Sequence, residues 1–411
     1  MATLIQKITS LKDYANSTTG KNDADLTNAV KSLAEGYGQG GEPWDETDPD
    51  NIIIEGEPVG EDYDPLTEFL KVRNGEYLFY NNESLTQVPE FDASVLTSMR
   101  YAFYTCPQLT SVPLFDTSNV TNMKGMFSTC RALTTVPLFN TSKVTDMSDM
   151  FYSCSQLTSV PLFDTSKVTN MAGTFESCGF LTEIPLLDTS NVTDMGETFM
   201  GCARVSSFPQ LNTSKVTKMY RMFRGIRTST VPLLDTSNVT NMSEMFYICP
   251  NLTTIPLFDT SKVTTMNSMF YECSSLTIVP ALDMRSCTTS NGTNSMFLRC
   301  TALTDVRLRN ISQSLTVGSG TTYGHLLTVD SLVHLIYELR KQSSSKTLTV
   351  GSANLEKLAN VYVKAIDITD EMRADDDLID EKYPFVVCES TDEGATLITT
   401  YASTIKNWTI K

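Results

Sequence analysis

The amino-acid sequence predicts an α/β solenoid, and three observations carry that prediction. Cysteines recur at Cys106, Cys130, Cys154, Cys178, Cys202, Cys249, Cys273 and Cys300, one repeat apart or, between Cys202 and Cys249, two. Phenylalanines keep the same step at Phe103, Phe127, Phe151, Phe175, Phe199, Phe223, Phe246, Phe270 and Phe297. Methionines stand four residues before most of them, from Met99 to Met266. The unit is about 24 residues long and runs from about Asn82 to Asp305. A fixed period of that length means stacked supersecondary units, each burying its apolar face on its neighbours.

The elements follow in chain order. Residues 1–40 read as a helical hairpin, with a weak helix over Leu4 to Tyr14, a turn at Gly20-Lys21-Asn22-Asp23, and an amphipathic helix over Leu26 to Tyr37. It resembles the N-terminal segments of phage fibre and minor structural proteins, which implies an anchor; a helical cap or oligomerisation segment is the other reading. Residues 41–81 combine an acidic Gly- and Pro-rich linker with a cap that closes the first rung. Residues 82–307 are the solenoid, and residues 308–411 are divergent C-terminal repeats and a cap.

Within a repeat, Met and Phe at i and i+4 suit a short helical turn with both side chains inward. Leu109, Leu133, Leu157 and Leu181, then Val112, Val136, Val160 and Ile184, read as a strand. The column Pro113, Pro137, Pro161, Pro185 cannot donate to a parallel ladder, so it falls at the strand's end. Asp-Thr-Ser follows as an N-cap or Asx-turn sequence.

This unit, Phe-x-x-Cys-x-x-Leu-x-x-Val-Pro joined to Asp-Thr-Ser-x-Val-Thr-x-Met, resembles the BspA-like branch of the leucine-rich repeats over a little more than half of the chain. It departs from the Leu-x-x-Leu-x-Leu-x-x-Asn pattern by lacking its asparagine and by carrying proline at the strand end. The resemblance implies adhesion to a protein or glycan.

C-terminal to the repeats, Leu326 to Lys341 is a predicted helix with Leu332, Leu335, Ile336 and Leu339 inward. Thr347 to Leu358 reads as a strand and a helix start, and a last strand lies near Trp408. Residues 361–400 read as an insertion within the cap or as a small separate module.

Composition narrows the function. The 411 residues are 41% hydrophobic and 19% charged, with 31 basic against 48 acidic side chains and a net charge of -17. Phosphate binding needs a concentrated cationic face, so nucleic acid is not an expected partner. No run approaches the ~18 apolar residues of a membrane span, and membrane insertion is not expected. The first residues, Met1 to Ser10, lack the apolar core of a secretion signal. That predicts a chain made in the bacterial cytoplasm and released by lysis, as a bacteriophage virion protein is.

Each candidate for chemistry has a plain structural reading. Parallel rungs aim cysteine Cβ vectors the same way, which is poor disulfide geometry, and metal sites want close pairs with histidine nearby. The thiols are therefore expected free and buried, with Ile226 filling their column in one rung. The column Asp92, Asp116, Asn140, Asp164, Asp188, Asn212, Asp235, Asp259, Asp283 suggests calcium or backbone capping, and its asparagines favour capping. The residue after proline, at Leu114, Leu138, Leu162, Leu186, Leu233, Leu257 and Ala281, is expected in the core, because an outward apolar stripe invites aggregation. His325 and His334 are the only histidines, and His334 is expected to be a satisfied structural residue.

No catalytic, cofactor or metal residue is assigned, and the chain is expected not to be an enzyme. The expected function is that of a phage fibre or decoration subunit. Its N-terminus would meet other virion proteins, and its solenoid would meet a host-surface glycan or protein, in a homo-oligomer. A bacterial BspA-like surface adhesin is the alternative, and a carbohydrate-active solenoid enzyme a third.

Overall fold

Each rung of this protein is held to the next by its Met-to-Cys segment, where every second amide points along the stack. In the computed structural model, which describes residues 75–88, 91–289, 291–317, 327–339, 346–350, 352–365, 385–388, 396–405 and 408–410, the amides of Met99, Tyr101, Phe103 and Thr105 donate to Asn122, Lys124, Met126 and Ser128 carbonyls at 2.8–2.9 Å. The intervening amides of Ala102 and Tyr104 close turns onto Met99 and Tyr101, both at 3.1 Å. Parallel bridges Ser98 to Asn122, Asn122 to Asp146 and Asp146 to Asn170 continue the same register.

That alternation corrects the expected short helix. It needs left-handed residues at two positions per rung, filled by Tyr101 and Thr105, Gly125 and Thr129, Asp149 and Ser153, and Gly173 and Ser177. A residue at positive φ cannot continue a right-handed helix, so the segment is a run of consecutive turns. The expected strand is corrected too. Thr134, Thr158 and Thr182 each donate one backbone bond to the threonine of the preceding rung, at 3.4, 3.0 and 3.3 Å. The prolines remove further donors, and in these rungs the segment is extended without forming a regular strand.

The chain divides into two compact units. The first is residues 1–192 with 201–204, and the second is residues 193–200 with 205–411. In the first, Tyr77, Phe79 and Asn81 already donate to Arg100, Ala102 and Tyr104, so stacking begins before Asn82. Its core holds Met99, Met123, Met147 and Met171, the phenylalanine column, and Leu109, Leu133, Leu157 and Leu181. A second aromatic row, Phe115, Phe139 and Phe163, stacks beside the first, and Met126 and Met150 fill a further column between turns.

The second unit repeats the turn ladder, with Glu197, Arg221, Glu244 and Ser268 left-handed. Arg221 bridges Glu197 and Glu244 at 3.0 Å each, and Arg224 pairs with Glu244 while its guanidinium lies 4.4 Å from the Tyr247 ring. Here the extended segment that carries the proline does become regular, as strands β1 (Ile278–Asp283) and β2 (Asp305–Arg309), which pair in parallel.

Beyond them, β3 (Leu315–Thr316), α1 (Val329–Tyr337), β4 (Lys346–Thr349) and α2 (Ser352–Lys357) follow. The helix α1 is shorter than Leu326 to Lys341. Thr328 caps it by accepting the Ser331 amide at 3.1 Å, and it buries Leu332, Leu335 and Ile336, with Leu339 buried just beyond. Next come β5 (Tyr362–Ala365), β6 (Phe385–Cys388), β7 (Thr396–Leu397), α3 (Ile398–Ile405) and β8 (Trp408–Ile410). Strands β3, β4 and β8 form one parallel sheet, while β5 pairs antiparallel with both β6 and β7. The antiparallel sheet thus lies, in chain order, between two strands of the parallel one.

The helical anchor over residues 1–40, the linker through residue 74, His325 and residues 366–384 lie outside the described residues.

Candidate interaction surface

The residue after proline faces solvent, contrary to the expectation that it joins the core. In the first unit Leu114, Leu138, Leu162 and Leu186 are 60–67% exposed. The cause is local. Phe139, Phe163 and Leu187 donate their amides to the carbonyls of Pro137, Pro161 and Pro185 at 3.0, 3.0 and 2.8 Å. Each bond closes a three-residue turn with the leucine at its apex. The turn swings Phe139, Phe163 and Leu187 inward, where they are buried, and leaves the leucine outside.

The acidic column borders this apolar one, two residues further on. Asp116 and Asp164 accept the amides of Ser118 and Ser166 at 3.0 and 3.1 Å, and Asp188 accepts that of Ser190 at 2.9 Å. Asn140 takes the same role toward Ser142 at 3.2 Å. These are Asx turns, the backbone-capping arrangement that the sequence favoured, with no helix following. Hydrogen bonds from Ser118, Ser166 and Ser190 hold the three carboxyls below the ordinary carboxylate range. The carboxylates are exposed and charged at neutral pH.

The intervening threonine locks the column. Thr117, Thr141 and Thr165 are buried and donate their hydroxyls to the carbonyls of Asn140, Asp164 and Asp188 in the following rung, each at 2.8 Å. The backbone beneath the leucine and carboxylate columns is therefore tied from rung to rung.

In the second unit Leu233 and Leu257 are exposed at 57% and 61%, bordered by Asp235 and Asp259. Gln210 takes the leucine position one rung earlier and donates its side-chain amide to the Leu233 carbonyl. Lys262 lies close enough to Asp235 and Asp259 to favour their charged forms, so this acidic edge is partly compensated.

The nine cysteines from Cys106 to Cys300 are free and buried. Cys106, Cys130, Cys154 and Cys178 donate their thiols to the carbonyls of Phe79, Phe103, Phe127 and Phe151 at 3.0–3.1 Å. Burial pushes Cys202 and Cys300 up to about 12. Cys287, outside the column, is buried as well and donates to the Val263 carbonyl at 3.2 Å. Ile226 fills the column fully buried. His334 donates from Nε2 to the Leu308 carbonyl at 3.0 Å, and burial holds its imidazole below the ordinary range. Among the described residues no helix is long and apolar enough to cross a membrane.

The family described as "Mycoplasma protein of unknown function, DUF285" matches three overlapping stretches, residues 73–178, 156–233 and 226–317. Among solved structures the chain is similar to a leucine-rich repeat protein from Bacteroides ovatus, with 17% identity and a TM-score of 0.34 over 69% of this chain and 83% of that one. It is also similar to a leucine rich cell surface protein from Faecalibacterium prausnitzii, with 17% identity and a TM-score of 0.27 over 54% and 78% of the two chains. A third is the functional domain of InlJ from Listeria monocytogenes, which includes a cysteine ladder, with 14% identity and a TM-score of 0.19 over 72% and 69%. No curated protein is significantly similar to the chain.

Proposed function

Because the chain belongs to the repeat family described as "Mycoplasma protein of unknown function, DUF285", we propose that it is a non-enzymatic adhesive protein whose rungs present a repeated surface to a macromolecular partner. The observation that carries this reading is the exposed leucine column of the first unit, Leu114, Leu138, Leu162 and Leu186, on a backbone tied from rung to rung. Monomeric proteins rarely leave a contiguous apolar stripe uncovered, and such stripes mark interaction sites. The groups capable of chemistry support the non-enzymatic part: the described thiols are buried donors, and His334 is spent on a backbone carbonyl.

In its finer form the reading is a phage fibre or decoration subunit, a homo-oligomer joined to other virion proteins through residues 1–40 and meeting a host-surface protein or glycan. It rests on the resemblance of that segment to phage structural proteins. Copies arrayed on a particle would raise a weak single-site affinity through effective concentration.

Two measurements test the proposal. Purified full-length chain is applied to intact bacterial cells, and surface retention is compared between the wild type and Leu138→Ser/Leu162→Ser. Loss of retention in the variant is expected, and equal retention removes the leucine column from the function. Deletion of residues 1–40 is expected to abolish incorporation into particles with the solenoid still folded. A truncated chain that still co-purifies with particles overturns the anchoring role, and full-length chain found on producer cells and absent from particles assigns it to bacterial surface adhesion.

A further inference from the structure

We propose that the leucine column of the first unit is the track for an extended, cationic polypeptide segment, with alternate side chains seated on the leucines and lysine or arginine heads reaching the bordering carboxylates. This rests on the adhesive reading and narrows its partner from protein or glycan to basic protein.

Chemistry argues first. Sugars are held by ring faces and converging hydrogen bonds, whereas the leucines present only methyl groups and aliphatic stems. Apolar side chains and the methylenes of long basic residues are what such a surface can cover.

Spacing is the second argument. The buried rings next to the leucines, Phe115, Phe139 and Phe163, lie 6.0 and 6.5 Å apart from rung to rung. An extended chain advances ~3.3–3.4 Å per residue, so its same-face side chains recur every ~6.6–6.8 Å. A segment laid along the stack keeps nearly in step over the three rungs that these rings mark.

Charge selects the sign. Asp164 and Asp188 repel one another across the rung, as do Asp92 and Asp116, and Lys167 offsets this only at Asp164. Lys143, one rung earlier, is turned to Asn119 at 2.8 Å. A cationic partner relieves that repulsion, whereas an anionic polysaccharide adds to it. The net charge of -17 likewise opposes a second copy of this chain as the occupant.

The probe is a synthetic peptide alternating lysine with valine, compared with its glutamate-valine counterpart by fluorescence anisotropy on the full chain. The lysine peptide is expected to bind, and Leu138→Ser/Leu162→Ser to weaken it by about tenfold or more. Asp164→Asn/Asp188→Asn is expected to weaken binding and flatten its salt dependence. Asp164→Lys/Asp188→Lys is expected to reverse the preference toward the glutamate peptide, which a merely structural role would not do.

Equal binding of both peptides, or leucine variants that bind as the wild type does, overturns the inference. So does concentration-dependent dimerisation abolished by the leucine variant, because the stripe then belongs to a second copy. Cell retention that depends on the leucines and is untouched by excess lysine peptide sinks the cationic partner and leaves the adhesive reading standing. Peptide binding without cell retention does the reverse.

Discussion

Cys130 donates its thiol to the carbonyl of Phe103, one rung back, at 3.0 Å. The same Phe103 sends its amide forward to Met126 at 2.9 Å. Its peptide groups therefore tie the rung both to its successor's backbone and to its successor's cysteine. The cysteine column is a hydrogen-bonding device as well as an apolar filler, which explains a small sulfur side chain where alanine would pack.

Replacing Cys154 tests this. Cys154→Ala removes the donor to Phe127 and leaves a small void, and the expected loss of unfolding free energy is about 1–2 kcal/mol by urea denaturation. The native thiols are expected to resist alkylation at neutral pH and to react fully in denaturant. Rapid native labelling at any column cysteine from Cys106 to Cys300 contradicts the ladder.

The left-handed positions give a second test. Ser268 sits at φ 52, where the rungs of Gly125 and Gly173 use glycine. Ser268→Gly is expected to raise stability by about 0.5–1 kcal/mol, by removing the Cβ cost of that conformation. Gly125→Ala is expected to lower stability, because its Cβ would collide with the Tyr101 ring. Thermal melts of the two variants moving the same way would refute the turn assignment.

Thr141 should be costly to lose. Its buried hydroxyl donates to the Asp164 carbonyl at 2.8 Å, and Thr141→Val keeps the shape while orphaning that carbonyl. A loss of about 1–2 kcal/mol is expected. A Thr134→Val change at the exposed threonine column should cost less, since water can replace its hydroxyl at the Thr110 carbonyl.

Stability should fall at both ends of the pH scale. A thiol whose folded pKa lies above its unfolded value, about 8.5, contributes fully below that pH. For Cys202 and Cys300 the contribution is lost as the pH climbs toward about 12. The depressed carboxyls Asp116, Asp164 and Asp188 act oppositely. Their contribution is complete above the ordinary aspartate value of about 3.9 and is lost as the pH falls through the lower folded values. Urea midpoints across pH should show both limbs. Asp164→Asn/Asp188→Asn keeps the turn acceptors and should flatten the acid limb alone, and an unchanged limb would place the acid sensitivity elsewhere.

The repeat period alone dictates the stacking and the identity of the buried columns, because one repeated environment selects one repeated side chain. Met99, Phe103, Leu109 and Val112, with their equivalents in the following rungs, lie inside as their spacing requires. The Asp-Thr-Ser turn was legible for the same reason, since aspartate and asparagine share the acceptor that caps the Ser118 or Ser142 amide. Contacts between rungs settle the rest. Alternate amides of Tyr101 and Phe103 find partners in the next rung, so local helix propensity yields to bonds between rungs that no single repeat contains. Leu138 faces solvent although its column is apolar, because an apolar period carries no direction. In Pro137-Leu138-Phe139, two adjacent apolar side chains compete for one inward position, and the turn closed by the Phe139 amide on the Pro137 carbonyl gives it to the phenylalanine.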